Sequence, residues 1–240
     1  MQKLLESAGV VFAGSGSEAS SLCMDKTRAK HVAAQAGVPA AAGVLIAKGS
    51  RPDAKAVTAE LGTSLVVKPN SEGSSIGLHF AEGAAELAAL WDRLDDRDWL
   101  VESRIAGREL TVGLLDGRAM GVVEIVPHSG VYDYQSKYTK GMTRYECPAR
   151  LPEGVARTVR LAGEAIFQAC GCRDFARADF MLTDDGVPLF LEINTIPGLT
   201  ETSLLPKSAG CEGMDFNTLA AGLVAPALRR FQATRRELAS

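Results

Sequence analysis

The chain has 240 residues, 46% apolar and 23% charged, with a net charge of −3 and a pI near 5.7. That is enough chain for one large or two small cores, and the balance points to neither a nucleic-acid nor a membrane surface. No apolar run approaches the roughly 18 residues of a membrane span, and the start MQKLLESAGVVFAGSG lacks a signal-peptide layout.

In chain order, Val10–Ala13 reads as a short strand ending in Gly14-Ser15-Gly16. Asp25 can cap a helix running to Ala36. Gly43–Ala47 and Leu65–Lys68 read as strands, the second stopped by Pro69. Asn70–Gly77, NSEGSSIG, is a loop by composition, and Ile76–Phe80 resumes a strand. Ala84–Leu94 is helical; Trp99–Ser103, Leu110–Leu115 and Met120–Val126 are strand-like. Tyr132–Cys147 is polar, aromatic and without period, so it reads as a long loop, a kind that is usually a lid or disordered. Val155, Val159, Ala162, Ile166 and Ala169 mark the buried stripe of an amphipathic helix. Phe175–Leu182 and Leu189–Ile193 flank Asp185-Gly186, a hairpin turn signal, and a last helix covers 215–238.

Cys23, Cys147, Cys170, Cys172 and Cys211 have no CxxC spacing, and their odd number reads as reduced cytosolic thiols. His31, His79 and His128 add no metal-ligand spacing.

A two-residue turn at Asp185-Gly186 sets Asp179 opposite Glu192 and Arg177 opposite Asn194, four polar side chains on one face. Ala178, Phe180, Leu191 and Ile193 then form the apolar face. Opposed carboxylates repel, and two readings relieve this. One is a divalent cation such as Mg²⁺ on two carboxylates and an amide oxygen; the other is an Arg177-centred salt-bridge cluster. Lys68 before the Gly/Ser loop could meet a phosphate, as could Lys26 and Lys137, although the loop is neither a Walker A nor GxGxxG and each lysine alone is ordinary surface. Glu109 could accept from sugar hydroxyls or be a solvated edge-strand acid.

Together GSGSEASSLCMDK, VVKPNSEGSSIG, VESRIAGRELTVGLL, YDYQSKY, ARADFMLTDDG and LEINTIPGLTETSLLP resemble the D-alanine–D-alanine ligase family of ATP-grasp enzymes, from about residue 8 to the end. The resemblance implies an α/β fold with ATP held between two mainly antiparallel sheets: a central lobe over 25–108, a C-terminal lobe over 109–240, and a remnant of a further domain over 1–24. It implies ATP and two Mg²⁺ ions, with Mn²⁺ as a substitute and a monovalent activating cation. Lys26 and Lys68 resemble the lysines on the α- and β-phosphates, and Ser74 and Ser75, in the loop after Lys68, resemble further nucleotide contacts. Glu102, Ser103 and Ile105 resemble the hinge against adenine, and Glu109 the ribose ligand. Asp179, Glu192 and Asn194 resemble the metal ligands, and Lys137 the lid lysine on the γ-phosphate. Arg177 and the Gly198 N–H resemble the oxyanion donors. Ser203 and Leu204 resemble the carboxylate site of the second substrate. Ser74 and Tyr138 resemble two members of a triad closing the lid.

The reaction so implied joins two D-alanines through an acyl phosphate in the cytoplasm, for peptidoglycan precursors, by a homodimer with no nucleic-acid or membrane partner. Tyr138 is kept, where ligases with a hydroxy-acid acceptor depart from the pattern, which favours an amine acceptor. The family opens with a Rossmann-like domain; the glutamate completing the triad, and a histidine and glycine-rich turn near the first substrate, have no match here. The first-substrate side is therefore expected to be open. The alternatives are a different carboxylate–amine pair or a non-catalytic nucleotide-binding module.

Overall fold

The computed structural model describes residues 1–73, 76–127, 141–200 and 202–237. Two antiparallel sheets carry it. The first holds β1 (Gly43–Ile46), β2 (Ser64–Pro69), β3 (His79–Glu82) and β4 (Trp99–Ser103), in the order β1-β4-β2-β3. Helices α4 (Ala54–Leu61) and α5 (Gly83–Trp91) cover it, closing a core of Val57, Leu61, Leu65, Val67, Leu87, Trp91 and Trp99.

The second sheet holds β5 (Arg108–Leu115), β6 (Arg118–Pro127), β7 (Thr143–Glu146), β8 (Phe175–Leu182) and β9 (Pro188–Asn194), in the order β7-β6-β5-β8-β9. Helices cover both of its faces, so the central strands β5 and β6 are buried along most of their length. Leu110, Val112, Leu114, Ala178 and Phe180 pack against α3 (Lys26–Gln35) and the expected amphipathic helix, α6 (Glu153–Ala169). Asp25 caps α3 by accepting from the Arg28 N–H at 3.0 Å. On the other face α7 (Leu204–Cys211) and α8 (Phe216–Glu237) bury Met120, Leu205, Ala209, Leu219 and Leu223. Gly121 permits the contact: a Cβ there would lie 2.2 Å from that of Cys211. Helices α1 (Gln2–Ser7) and α2 (Ser17–Met24) lead in.

Several expectations change. Residues 10–13 are not a strand; this segment is tied down from outside, with Arg230 donating to the Phe12 carbonyl at 2.9 Å and Gly14 N–H donating to buried Asp174 at 2.8 Å. Helices α4 and α7 were not anticipated, being short, although Asp53 and Ser203 stand at their N-caps. Within the expected long loop, Thr143–Glu146 is a strand because Glu124–Pro127 gives it a partner edge. Residues 132–140 of that loop lie outside the described residues.

The thiols also differ from expectation. Cys147, just after β7, and Cys211, at the end of α7, form a disulfide across a Cα–Cα distance of 5.5 Å. Sequence spacing cannot show this pair, which are 64 residues apart and meet only because α7 lies close on the sheet. Cys23, Cys170 and Cys172 are free.

The hairpin register holds for a different reason from the one expected. Residues 183–187 form the turn, with Gly186 N–H donating to Thr183 O and Thr183 N–H to Val187 O, so it is not a two-residue turn. That alone would slip the register by one. A bulge at Leu191 restores it: Phe180 pairs with Phe190, whereas Asp179 pairs with Glu192 and Arg177 with Asn194.

Candidate active site

The two sheets face each other across a cleft of about 570 Å³. Val66, Phe80, Ile105, Met181 and Leu191 supply apolar wall. The bulge explains Leu191: expected on the apolar face, it instead lines the cleft beside Glu192, while Phe190 and Ile193 go to the core.

Lys26 and Lys68 reach the cleft from α3 and β2. Lys26 is nearly buried, 3.6 Å from Glu192, and donates to the Glu72 carbonyl at 2.5 Å. Asn70 fixes its helix: the Asn70 side-chain oxygen accepts from Thr27 N–H at 3.0 Å and its amide donates to Asp25 at 2.9 Å. Lys68 pairs with Glu102 of β4, which Lys30 also contacts at 2.5 Å. Burial pushes the Glu102 carboxyl up, and the charges of Lys68 and Lys30 outweigh this, leaving it below the ordinary carboxylate range. Burial pushes the Lys26 ammonium down, against the pull of Glu192.

Asp179 is buried and heavily ligated. It accepts from Thr111 at 2.6 Å, from Arg177 in bidentate fashion at 2.9 and 2.8 Å, and from the Asn194 amide at 3.2 Å. That amide also donates to Glu192 at 3.3 Å. Both relief mechanisms are thus compatible with the same residues: Arg177 compensates Asp179, Lys26 compensates Glu192, and the two carboxylates would make an all-oxygen set that suits Mg²⁺ with the Asn194 oxygen, once that amide turns over from the orientation in which its nitrogen donates to both. The cleft lining adds to the fit. Glu72, Glu102, Glu109, Asp179 and Glu192 outnumber Lys26, Lys68 and Arg104, so a polyanion entering here needs additional cations. Among the described residues, no three His, Cys, Asp or Glu side chains gather as a metal-binding group.

The family described as D-ala D-ala ligase C-terminus matches residues 32–225. The chain belongs to the D-alanine–D-alanine ligase family. A D-alanine–D-alanine ligase of Syntrophotalea carbinolica is 43% identical over 96% of this chain and 74% of its own. A D-alanine–D-alanine ligase from Bacillus anthracis, solved with ATP, superposes with a TM-score of 0.83 at 30% identity, covering 97% of this chain and 75% of that one. A D-Ala:D-Ser ligase from Enterococcus faecalis gives a TM-score of 0.83 at 31% identity, covering 94% and 68%. The chain thus spans about three quarters of the Syntrophotalea and Bacillus ligases.

Set against the ligase pattern, the structure brings Lys26, Lys68, Glu102, Ser103, Ile105, Glu109, Asp179 and Glu192 into one cleft. Arg177 and Asn194 join them through Asp179. The Ser103 hydroxyl is held by the Leu61 carbonyl at 2.7 Å, and the Glu102 side chain turns to the lysines. Gly198 and Ser203 are neighbours: a Cβ on Gly198 would lie 2.7 Å from the Ser203 Oγ, which itself accepts from Thr200 N–H at 3.0 Å. Leu204 opens α7 with its side chain buried beside Val123 and Ile125. Ser74, Ser75, Lys137 and Tyr138 lie outside the described residues. Sequence reasoning missed Lys30, Asn70 and Thr111. Lys30 had a signal, standing one helical turn beyond Lys26 on the same face.

Proposed function

We propose that this protein is an ATP-dependent ligase that joins two D-alanines. One observation carries the reading: lysines from α3 and β2 and the opposed carboxylates of β8 and β9 converge on one cleft between two sheets, in a chain of the ligase family.

In this reading adenine lies between the apolar walls, with the chain at Glu102–Ile105 along its edge and Glu109 on the ribose. Lys26 and Lys68 hold the α- and β-phosphates as point charges. Asp179, Glu192 and Asn194 would hold two Mg²⁺ ions, which supply charge neutralisation when bound. The carboxylate of the first D-alanine attacks the γ-phosphorus and ADP leaves, giving an acyl phosphate. The amine of the second attacks the acyl carbon, loses a proton, and phosphate departs. Arg177, held in place by its bidentate pair with Asp179, and the Gly198 N–H face the developing oxyanion. The Ser203 hydroxyl and the first N–H groups of α7, beginning at Leu204, receive the acceptor carboxylate, since those N–H groups have no intrahelical partner. Lys137 on the γ-phosphate, and Ser74, Ser75 and Tyr138 closing over the substrates, complete the proposal. Water exclusion there protects the acyl phosphate.

Incubation with ATP, Mg²⁺ and D-alanine should yield ADP, phosphate and D-alanyl-D-alanine in equal amounts. D-serine offered as acceptor tests the likeness to the D-Ala:D-Ser ligase. Nucleotide binding with no turnover under any amino acid would instead make the chain a non-catalytic module. We place the reaction in the cytoplasm, where ATP is available; among the described residues no helix is long and apolar enough to cross a membrane. The proposed assembly is a homodimer, to be checked by light scattering.

A further inference from the structure

Lys30 does not line the cleft, yet it is among the most buried charges in the protein. It donates to the Phe190 carbonyl of β9 at 3.1 Å and pairs with Glu102 of β4 at 2.5 Å, bridging the two sheets. Lys68 reaches the same carboxylate from the cleft side. Glu102 is 2% exposed and has two ammonium partners where one would neutralise it. Burying an ammonium costs free energy, so a second one behind the carboxylate calls for a reason.

The position of Lys68 supplies it. A lysine that serves a phosphate must turn away from Glu102. Were it the only counter-ion, that turn would strand a buried carboxylate, a strongly unfavourable result. We propose that Lys30 is a positioning residue: the resident counter-ion of Glu102 that frees Lys68 to move between this carboxylate and the nucleotide phosphates. The inference rests on the nucleotide reading of the cleft given above.

The charge on Lys30 is adjustable. Burial pushes its ammonium down to about 8; Glu102 on β4 and Glu192 on β9 oppose this, and Lys68 on β2 adds to it. Protonated Lys30 favours nucleotide binding, so affinity should decline as pH rises past about 8.

The test is calorimetric binding of ADP with Mg²⁺. Lys30→Met should weaken binding about tenfold, the scale of coupling between contacting charged groups. Adding Glu102→Gln should restore it to within about threefold of wild type, because Lys68 then has no carboxylate to leave. A mere prop between α3 and β9 would give the opposite, the double variant being as weak as the single or weaker. Lys30→Arg should keep wild-type affinity and move the alkaline decline to higher pH, since an arginine stays charged there. Wild-type affinity in Lys30→Met, or no recovery in the double variant, overturns the proposal. If Lys30→Met fails to fold, the Lys30→Arg pH profile decides, and an unmoved alkaline limb overturns it. A wild-type protein that does not bind ADP overturns the nucleotide reading itself, and this inference with it.

Discussion

Asp179 and Glu192 face each other across two strands, and each has its own cation: Arg177 for the first, Lys26 for the second. That local neutrality lets the pair fold without a metal, while its carboxylate oxygens leave it fit to bind one. Glu192→Gln removes the charge and almost no volume. It should lower ATP turnover by at least about a hundredfold while the thermal midpoint moves by only a few degrees. Unchanged phosphate release would remove Glu192 from the metal site. These residue types were legible in the sequence because an acid and an amide at the end of an apolar strand are out of place there. Thr111, which donates to Asp179 from inside β5, was not: one threonine in a strand is ordinary until its neighbour is known.

At the scale of elements, α7 carries the acceptor site proposed above. It is seated by Ser208, whose hydroxyl accepts from the Gly113 N–H at 2.8 Å and donates to the Gly121 carbonyl at 2.5 Å. The Gly113 N–H is available because β5 is irregular between Val112 and Leu114. Gly121→Val would push α7 outward, since even a Cβ would overlap Cys211. We expect a loss of roughly 1–3 kcal/mol or more in chemical unfolding and a raised KM for the acceptor amino acid, with nucleotide affinity little changed. A raised nucleotide Kd of the same size would show that α7 does more than hold the acceptor. Long periodic elements such as α6, and Val-rich strands such as β2, could be read from pattern. Helix α7 could not: it follows a Pro-Gly break and carries Pro206 in its first turn, where a proline is tolerated but signals a stop. The hairpin was read with the right pairing from a wrong turn, because the bulge that corrects the turn leaves no mark in composition.

At the scale of the whole molecule, two of the links between distant segments stand out. Buried Asp174 accepts a bidentate pair from Arg230 at 2.7 Å and the Gly14 N–H, fastening the lead-in segment to α8. The Cys147–Cys211 disulfide fastens the end of β7 to α7 across 64 residues of sequence. By the loop-closure estimate, a bridge of that span contributes on the order of 4 kcal/mol. Adding reductant to the pure protein should therefore lower the thermal midpoint by several degrees, and a Cys147→Ser/Cys211→Ser variant should be insensitive to reductant. A midpoint indifferent to reductant in the wild type would mean that the thiols are not bridged in solution. Neither fastening was visible in the sequence, since both join residues whose only relation is the fold.

The bulge at Leu191 also separates two kinds of tolerance within one hairpin. On one side of it the pairing of Asp179 with Glu192 must stay in register; on the other, the 183–187 turn is held mainly by its own bonds and by exposed polar groups. That tip is the natural address for a fluorophore or an inserted epitope: a reporter there would sit on the same two strands as the proposed metal ligands, and the bulge would keep changes in turn length from reaching them.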